Sequence, residues 1–218
     1  MNNFFYCLAL RGLFFAFILM GVELVEGQQV DVKERTLSNG MKLLMLERHH
    51  SPTIAGGWVV RVGSVNERPG ITGIAHLFEH MMFKGTPAIG TKDAKRDAEI
   101  IRDQEIVRDA MRVEEAKMRL AFRRGEIGDL QKPENKTPRY RELEAEFNNL
   151  IEEQREVLVK NEFDRIYTTA GASGMNAFTS NDMTGYFITV PANKLEMWTW
   201  MESERLLRPV FREFYAER

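Results

Sequence analysis

Between about residues 93 and 162 the sequence changes character: charged residues dominate and apolar ones become sparse. That shift constrains the fold more than any other feature. The surviving apolar positions Ile100, Val107, Met111 and Met118 are spaced seven, four and seven. After Gly125 and a turn across Lys132-Pro133 and Thr137-Pro138, the positions Tyr140, Leu143, Phe147, Leu150, Gln154 and Val157 recur at threes and fours. Narrow seams of this kind predict two helices joined by a Gly/Pro turn, a coiled-coil-like hairpin over 93–161. A pair of solvated helices on a domain surface fits the same pattern. In either form the segment carries no obvious chemistry, and removing 95–160 is expected to leave a functional site elsewhere in the domain intact.

The flanks read differently. Two extended runs over 30–48 surround Ser38-Asn39-Gly40, and Asn-Gly is the strongest short hairpin signal. Residues 53–63, TIAGGWVVRVG, suit a buried strand. A turn over 66–70 precedes a helix over 73–84, stopped at Gly85 with Pro87 beyond. Beyond 162, a helix over 163–170 ends at Gly171. Strands over 175–180 and 184–190 flank Asn181-Asp182, with Gly185 as a candidate bulge. An amphipathic helix over 195–206 is broken at Pro209, and 211–218 begins another. Without a regular βαβ beat, this order predicts an α+β fold, a layered antiparallel-rich sheet packed against helices with the charged hairpin inserted.

The first 27 residues stand apart. Arg11, an apolar run over 12–22 and the small Gly27 form the pattern of a secretory signal peptide cleaved near Gln28. The run after Arg11 falls short of the roughly 20 apolar residues a spanning helix needs, so export to a periplasmic or extracellular space is expected rather than membrane anchoring. The only cysteine, Cys7, lies inside this segment. A mature chain over 28–218 would have no thiol, so any metal site must use histidine and carboxylate ligands. The net charge of -2 gives no sign of a nucleic-acid or anionic-membrane partner.

The chemistry concentrates in His76-Leu77-Phe78-Glu79-His80. At 100° per residue His76 and His80 lie about 40° apart on a helical wheel, so both imidazoles leave one face, one turn apart. Two residues so placed can chelate one zinc ion. Glu79 falls about 60° to the other side of His76, near enough to reach a metal-bound water without ligating. Zinc would bring that water's pKa to about 7 and polarise a scissile carbonyl. Glu79 would take the water's proton and pass it to the leaving amine. Leu77, Phe78, Met81, Met82 and Phe83 leave this helix apolar almost all round, which predicts a buried helix and buried histidines. His49 and His50, the remaining two of four histidines, sit in a polar turn and are expected to be solvated.

The stretches GSVNERPGITGIAHLFEHMMFKGT and MNAFTSNDMTGYFITVPANKLEMWTWMESERLLRPVF resemble the N-terminal domain of the pitrilysin/insulinase zinc metallopeptidases, a family that includes mitochondrial processing peptidase. The resemblance covers 32–91 and 162–218, and the charged hairpin departs from the family pattern as an insertion. It implies that His76 and His80 are zinc ligands and Glu79 the general base. It also implies that Asn176, Ala177, Phe178 and Thr179 lie on an edge strand that pairs with extended peptide substrates, the mode by which exposed strand edges recognise backbone. Tyr186 matches a family tyrosine, with a packing role as the alternative. Glu217 matches a glutamate that supports the site without binding metal. The family's third ligand, a glutamate seven residues further on, would fall past Arg218. Spacing does not recommend Glu202, Glu204 or Glu213 as substitutes. These residues therefore read as the N-terminal piece of a longer zinc endopeptidase, with a second domain or subunit closing over the peptide or protein substrate. A catalytically silent binding or scaffold subunit of the same family is the alternative, and a protein whose working part is the charged hairpin is a third.

Overall fold

The computed structural model describes residues 30–217, with side chains to Tyr215; the expected signal peptide lies outside the described residues. Among them, no helix is long and apolar enough to cross a membrane. The described residues fall into two units, divided between Ser51 and Pro52. In the first, β1 (Lys33–Thr36) and β2 (Lys42–Met45) pair antiparallel around the Asn-Gly turn, Thr36 opposite Lys42. His49 and His50 follow this hairpin and are exposed, as expected.

The second unit is built on an antiparallel sheet of β3 (Thr53–Val60), β4 (Ser173–Thr179) and β5 (Thr184–Pro191) in the order β3-β5-β4. Period-two alternation sends Tyr186, Ile188 and Val190 of the central strand inward. Ile188 and Val190 pack with Phe163, Tyr167 and Met201 from the helices α4 (Glu162–Thr169) and α5 (Leu195–Leu207). Helices cover one face of an antiparallel sheet, and the fold is α+β, as the order of elements predicts. Gly185 is not the bulge. The register is regular there, with Gly185 opposite Phe178, and the irregularity falls between Ser173 and Asn176. Gly185 instead makes room for a ring: a Cβ at this position would lie 2.5 Å from Phe178 Cε1.

A buried carboxylate ties the layers together. Glu202 on α5 accepts from Trp58 Nε1 on β3 at 2.6 Å and from the Tyr167 hydroxyl on α4 at 2.6 Å. Its ion-pair partner Arg205 is enclosed by the rings of Trp58, Phe83, Phe163 and Tyr186, at 4.9 to 5.4 Å from their centroids. Burial, with the Glu202 charge alongside, pushes the Tyr167 phenol well above its ordinary range.

The charged segment forms α2 (Ala94–Arg123) and α3 (Pro138–Val157). Asp93 caps α2 by accepting from the Lys95 and Arg96 amides at 3.1 and 3.0 Å, and Thr137 caps α3 by accepting from the Tyr140 amide at 3.0 Å. The two helices pack along the expected seam, with Val107, Met111, Leu143 and Phe147 at its centre. The chain enters and leaves the hairpin side by side: Lys92 N donates to Val157 O at 2.8 Å and Val159 N to Gly90 O at 3.0 Å. The last helix, α6 (Phe214–Glu217), starts three residues later than the sequence suggests, because Glu213 takes a left-handed φ of 56°.

Candidate metal centre

The HLFEH motif lies on α1 (Ile74–Met81). No side chain of its own first turn caps this helix. The carboxylate of Glu67, back in the preceding turn, does so by accepting from Gly73 N at 2.7 Å and Ala75 N at 2.9 Å. Those two backbone donors, Ala75 foremost, hold Glu67 below its ordinary value of 4.5. At the other end the chain turns at Gly85, with φ 103°, where a Cβ would meet Ile89 O at 2.3 Å.

His76 and His80 point together, their Nε2 atoms 3.2 Å apart. Two nitrogens on one tetrahedral zinc, at a Zn–N distance of about 2.0–2.1 Å, stand about 3.3 Å apart. The separation of the pair therefore matches that of two nitrogens on one zinc ion. Glu79 is the buried member of the motif, 9% exposed, and accepts a hydrogen bond from the Thr179 hydroxyl at the end of β4.

The expectation of buried histidines is not met: His76 and His80 are exposed. The apolar run does not translate into all-round burial because α1 packs through Ala75, Glu79 and Met81 alone. Phe78 stays half-exposed with its ring 5.3 Å from that of Phe211.

Among the described residues, no group of three or more histidine, cysteine or acidic side chains is gathered to hold a metal. Glu213 pairs with Lys84 at 3.2 Å, Glu202 is engaged as above, and Glu204 pairs with Arg208. None is a third ligand. The backbone of Glu217 closes α6, which packs against α1; its side chain lies outside the described residues.

Of the expected substrate strand, Asn176 and Phe178 are exposed, while Ala177 and Thr179 are half-buried on the side of α1. Among the described residues β4 is an edge of its sheet. Asn176 Oδ1 accepts from its neighbour's amide, Ala177 N, at 2.9 Å. Tyr186 is buried and stacked on Trp58, ring centroids 4.1 Å apart, so it packs; burial pushes its phenol up to about 12 against the pull of Arg205. A cleft of about 510 Å³ joins Glu79 and His80 to residues 175–177 of β4, with residues 158–162 as a further wall. That wall, the return of the inserted hairpin, had no signature in the sequence. Nor had Glu67, which lies in a turn six residues before the amide it caps.

Comparison with known proteins bears on the same stretch. Residues 42–100 match the family Insulinase (Peptidase family M16). Over those residues the chain is similar to the insulinase family. A 63-residue stretch is 43% identical to the "Uncharacterized zinc protease" of Rickettsia bellii (strain RML369-C). A 68-residue stretch is 38% identical to the "Uncharacterized zinc protease YmxG" of Bacillus subtilis (strain 168). These matches cover 29% and 31% of this chain and 15% and 16% of the two curated relatives, so the chain spans a small part of their length. The fold is similar over 86% of this chain, and 29% of the other, to "The crystal structure of a protease from Helicobacter pylori", with a TM-score of 0.51 and 21% identity.

Proposed function

We propose that this chain is the zinc-binding portion of an exported metalloendopeptidase that cuts extended peptides. The observation that carries the reading is the convergence of two imidazole nitrogens to 3.2 Å beside a buried carboxylate. His76 and His80 would hold the ion, with a third ligand from beyond Arg218 and Glu217 in support. A zinc ion so held supplies an acidified water and a Lewis acid for the scissile carbonyl. Glu79 accepts the proton of the attacking water and delivers it to the departing amine. The Thr179 hydroxyl, which donates to Glu79 Oε2, would orient the carboxylate for that transfer. The free edge of β4 would take the peptide as an added strand and so present its backbone beside the base. Export rests on the N-terminal segment alone, and closure over the substrate on a further domain or subunit.

The test uses the chain continued past Arg218. It should bind about one zinc and hydrolyse an unstructured peptide. Glu79→Gln should keep the metal and lower turnover by about 10²–10⁴-fold, the usual share of a general base. Absence of zinc uptake by the continued wild-type chain would end the peptidase reading. Residues 1–218 alone should bind zinc weakly and turn over no substrate.

A further inference from the structure

We propose that the inserted helical hairpin is a positioning element of the metal centre: it clamps residues 209–217 against the motif helix α1. The proposal rests on reading α1 as the zinc-binding helix, and it assigns the hairpin a task the sequence does not suggest.

The clamp has two sides. On the hairpin side stands Arg212, 2% exposed, whose Nε donates to Asp97 Oδ2 in the first turn of α2 at 2.6 Å. The other oxygen of Asp97 accepts from Gln154 Nε2 on α3 at 3.0 Å, and Gln154 in turn accepts from Gln104 Nε2 on α2 at 3.2 Å. Arg212 thus meets both hairpin helices through one buried polar chain. Three residues on, Tyr215 enters the seam between those helices. Its hydroxyl donates to Glu105 at 2.8 Å, and its ring lies edge-on to Phe147 with centroids 5.3 Å apart.

On the other side the same segment grips α1 and the turn that follows it. Arg212 donates to the carbonyls of Lys84 and Ile89 at 3.0 Å each and to that of Thr86 at 2.8 Å. Val210 N donates to Gly85 O at 3.0 Å, Phe211 leans on Phe78, and Phe214 joins His76 and His80 around a second cleft of about 560 Å³. The helix carrying Glu217 is therefore held between hairpin and motif, and whatever follows it in the chain starts from that position. Loss of a group that orients metal ligands typically costs 10–100-fold in metal affinity.

Asp97→Asn and Tyr215→Ala loosen the hairpin side without touching the histidines. Met118→Ala truncates a buried side chain two turns beyond Met111 on α2 and serves as control. In the metal-free protein, hydrogen exchange over 209–217 should quicken at least tenfold in both variants and stay at the wild-type rate in Met118→Ala. In the chain continued past Arg218, zinc affinity by chelator competition should fall about 10–100-fold in the first two variants. The visible spectrum of the cobalt-loaded form should also change shape, as altered coordination requires and a reduced folded fraction does not. Unchanged exchange over 209–217 in both variants overturns the clamp. Faster exchange with unchanged affinity and cobalt spectrum overturns its role at the metal. A wild type that exchanges as described but takes up no zinc shows the clamp to be sound and the metal reading to be the part that failed. Should Asp97→Asn not fold, Tyr215→Ala with Tyr215→Phe decides alone.

Discussion

Thr179 and Glu67 each act through hydrogen bonds of one side-chain group, and both can be tested by changing that group alone. Thr179→Val keeps the shape of the side chain and removes the donor to Glu79, a carboxylate only 9% exposed. A hydrogen bond to a charged group is worth about 1.5–3 kcal/mol. Turnover of the continued chain should therefore fall about 10–100-fold, with zinc content by elemental analysis unchanged because the histidines are untouched. Loss of zinc together with turnover would show that Thr179 shapes the helix rather than the base. Glu67 acts through charge and so through pH. Its carboxylate is held below 4.5 by the Ala75 and Gly73 amides, a depressed acid. Its contribution is full above the unfolded value near 4.5 and disappears as pH falls through the lower folded value. Against Glu67→Gln, the wild type should be the more stable protein by denaturant unfolding at pH 7 and pH 6. The gap should close progressively below about pH 4.5. A gap independent of pH would mean that the amide caps α1 as well as the carboxylate does.

At the scale of elements, local order is what the sequence exposes. The Asn-Gly turn, the apolar spacing along each hairpin helix and the one-turn spacing of His76 and His80 are patterns within one element or one turn, and the turn, the two helices and the histidine pair are all present. What escaped reading joins distant elements. Thr179 lies 100 residues from Glu79 and Arg212 lies 115 from Asp97, distances that only sheet register and helix packing close. The same limit explains the misplaced bulge, since Gly185 is small on account of Phe178 on a neighbouring strand. It also explains the exposed histidines, because an apolar run shows how much of a helix can be buried and not which face is. Arg212 alone left a trace, a charge set among Val210, Phe211 and Phe214. Glu202 shows how such a long-range contact is priced in stability. Glu202→Ala strands Arg205, 3% exposed, and deprives Trp58 and Tyr167 of their acceptor. Breaking one side of a buried ion pair costs about 3–5 kcal/mol. Guanidinium unfolding should show a lower midpoint with the same slope, and a midpoint equal to wild type would mean that water replaces the carboxylate.

For the whole molecule, the question is whether the inserted hairpin is an appendage or a part of the domain. Its entry and exit lie side by side, so a short linker can replace 95–160 without stretching the chain. The sequence alone suggests that the site would stay intact. Arg212 says otherwise, since such a deletion removes Asp97 and leaves a guanidinium, buried in the intact fold, with carbonyl partners only. The decisive comparison is Arg212→Met in the two backgrounds. In the intact chain it leaves Asp97 buried without its cation, and thermal or denaturant unfolding should report a loss of about 3–5 kcal/mol. In the linker variant the carboxylate is already gone, the methionine removes an uncompensated charge, and the same substitution should cost little or raise stability. Contacting residues couple in this non-additive way, and independent ones do not. Equal costs in both backgrounds would make the hairpin a passenger on the fold; a cost that vanishes with the hairpin makes it part of the domain that holds α1 and α6 together.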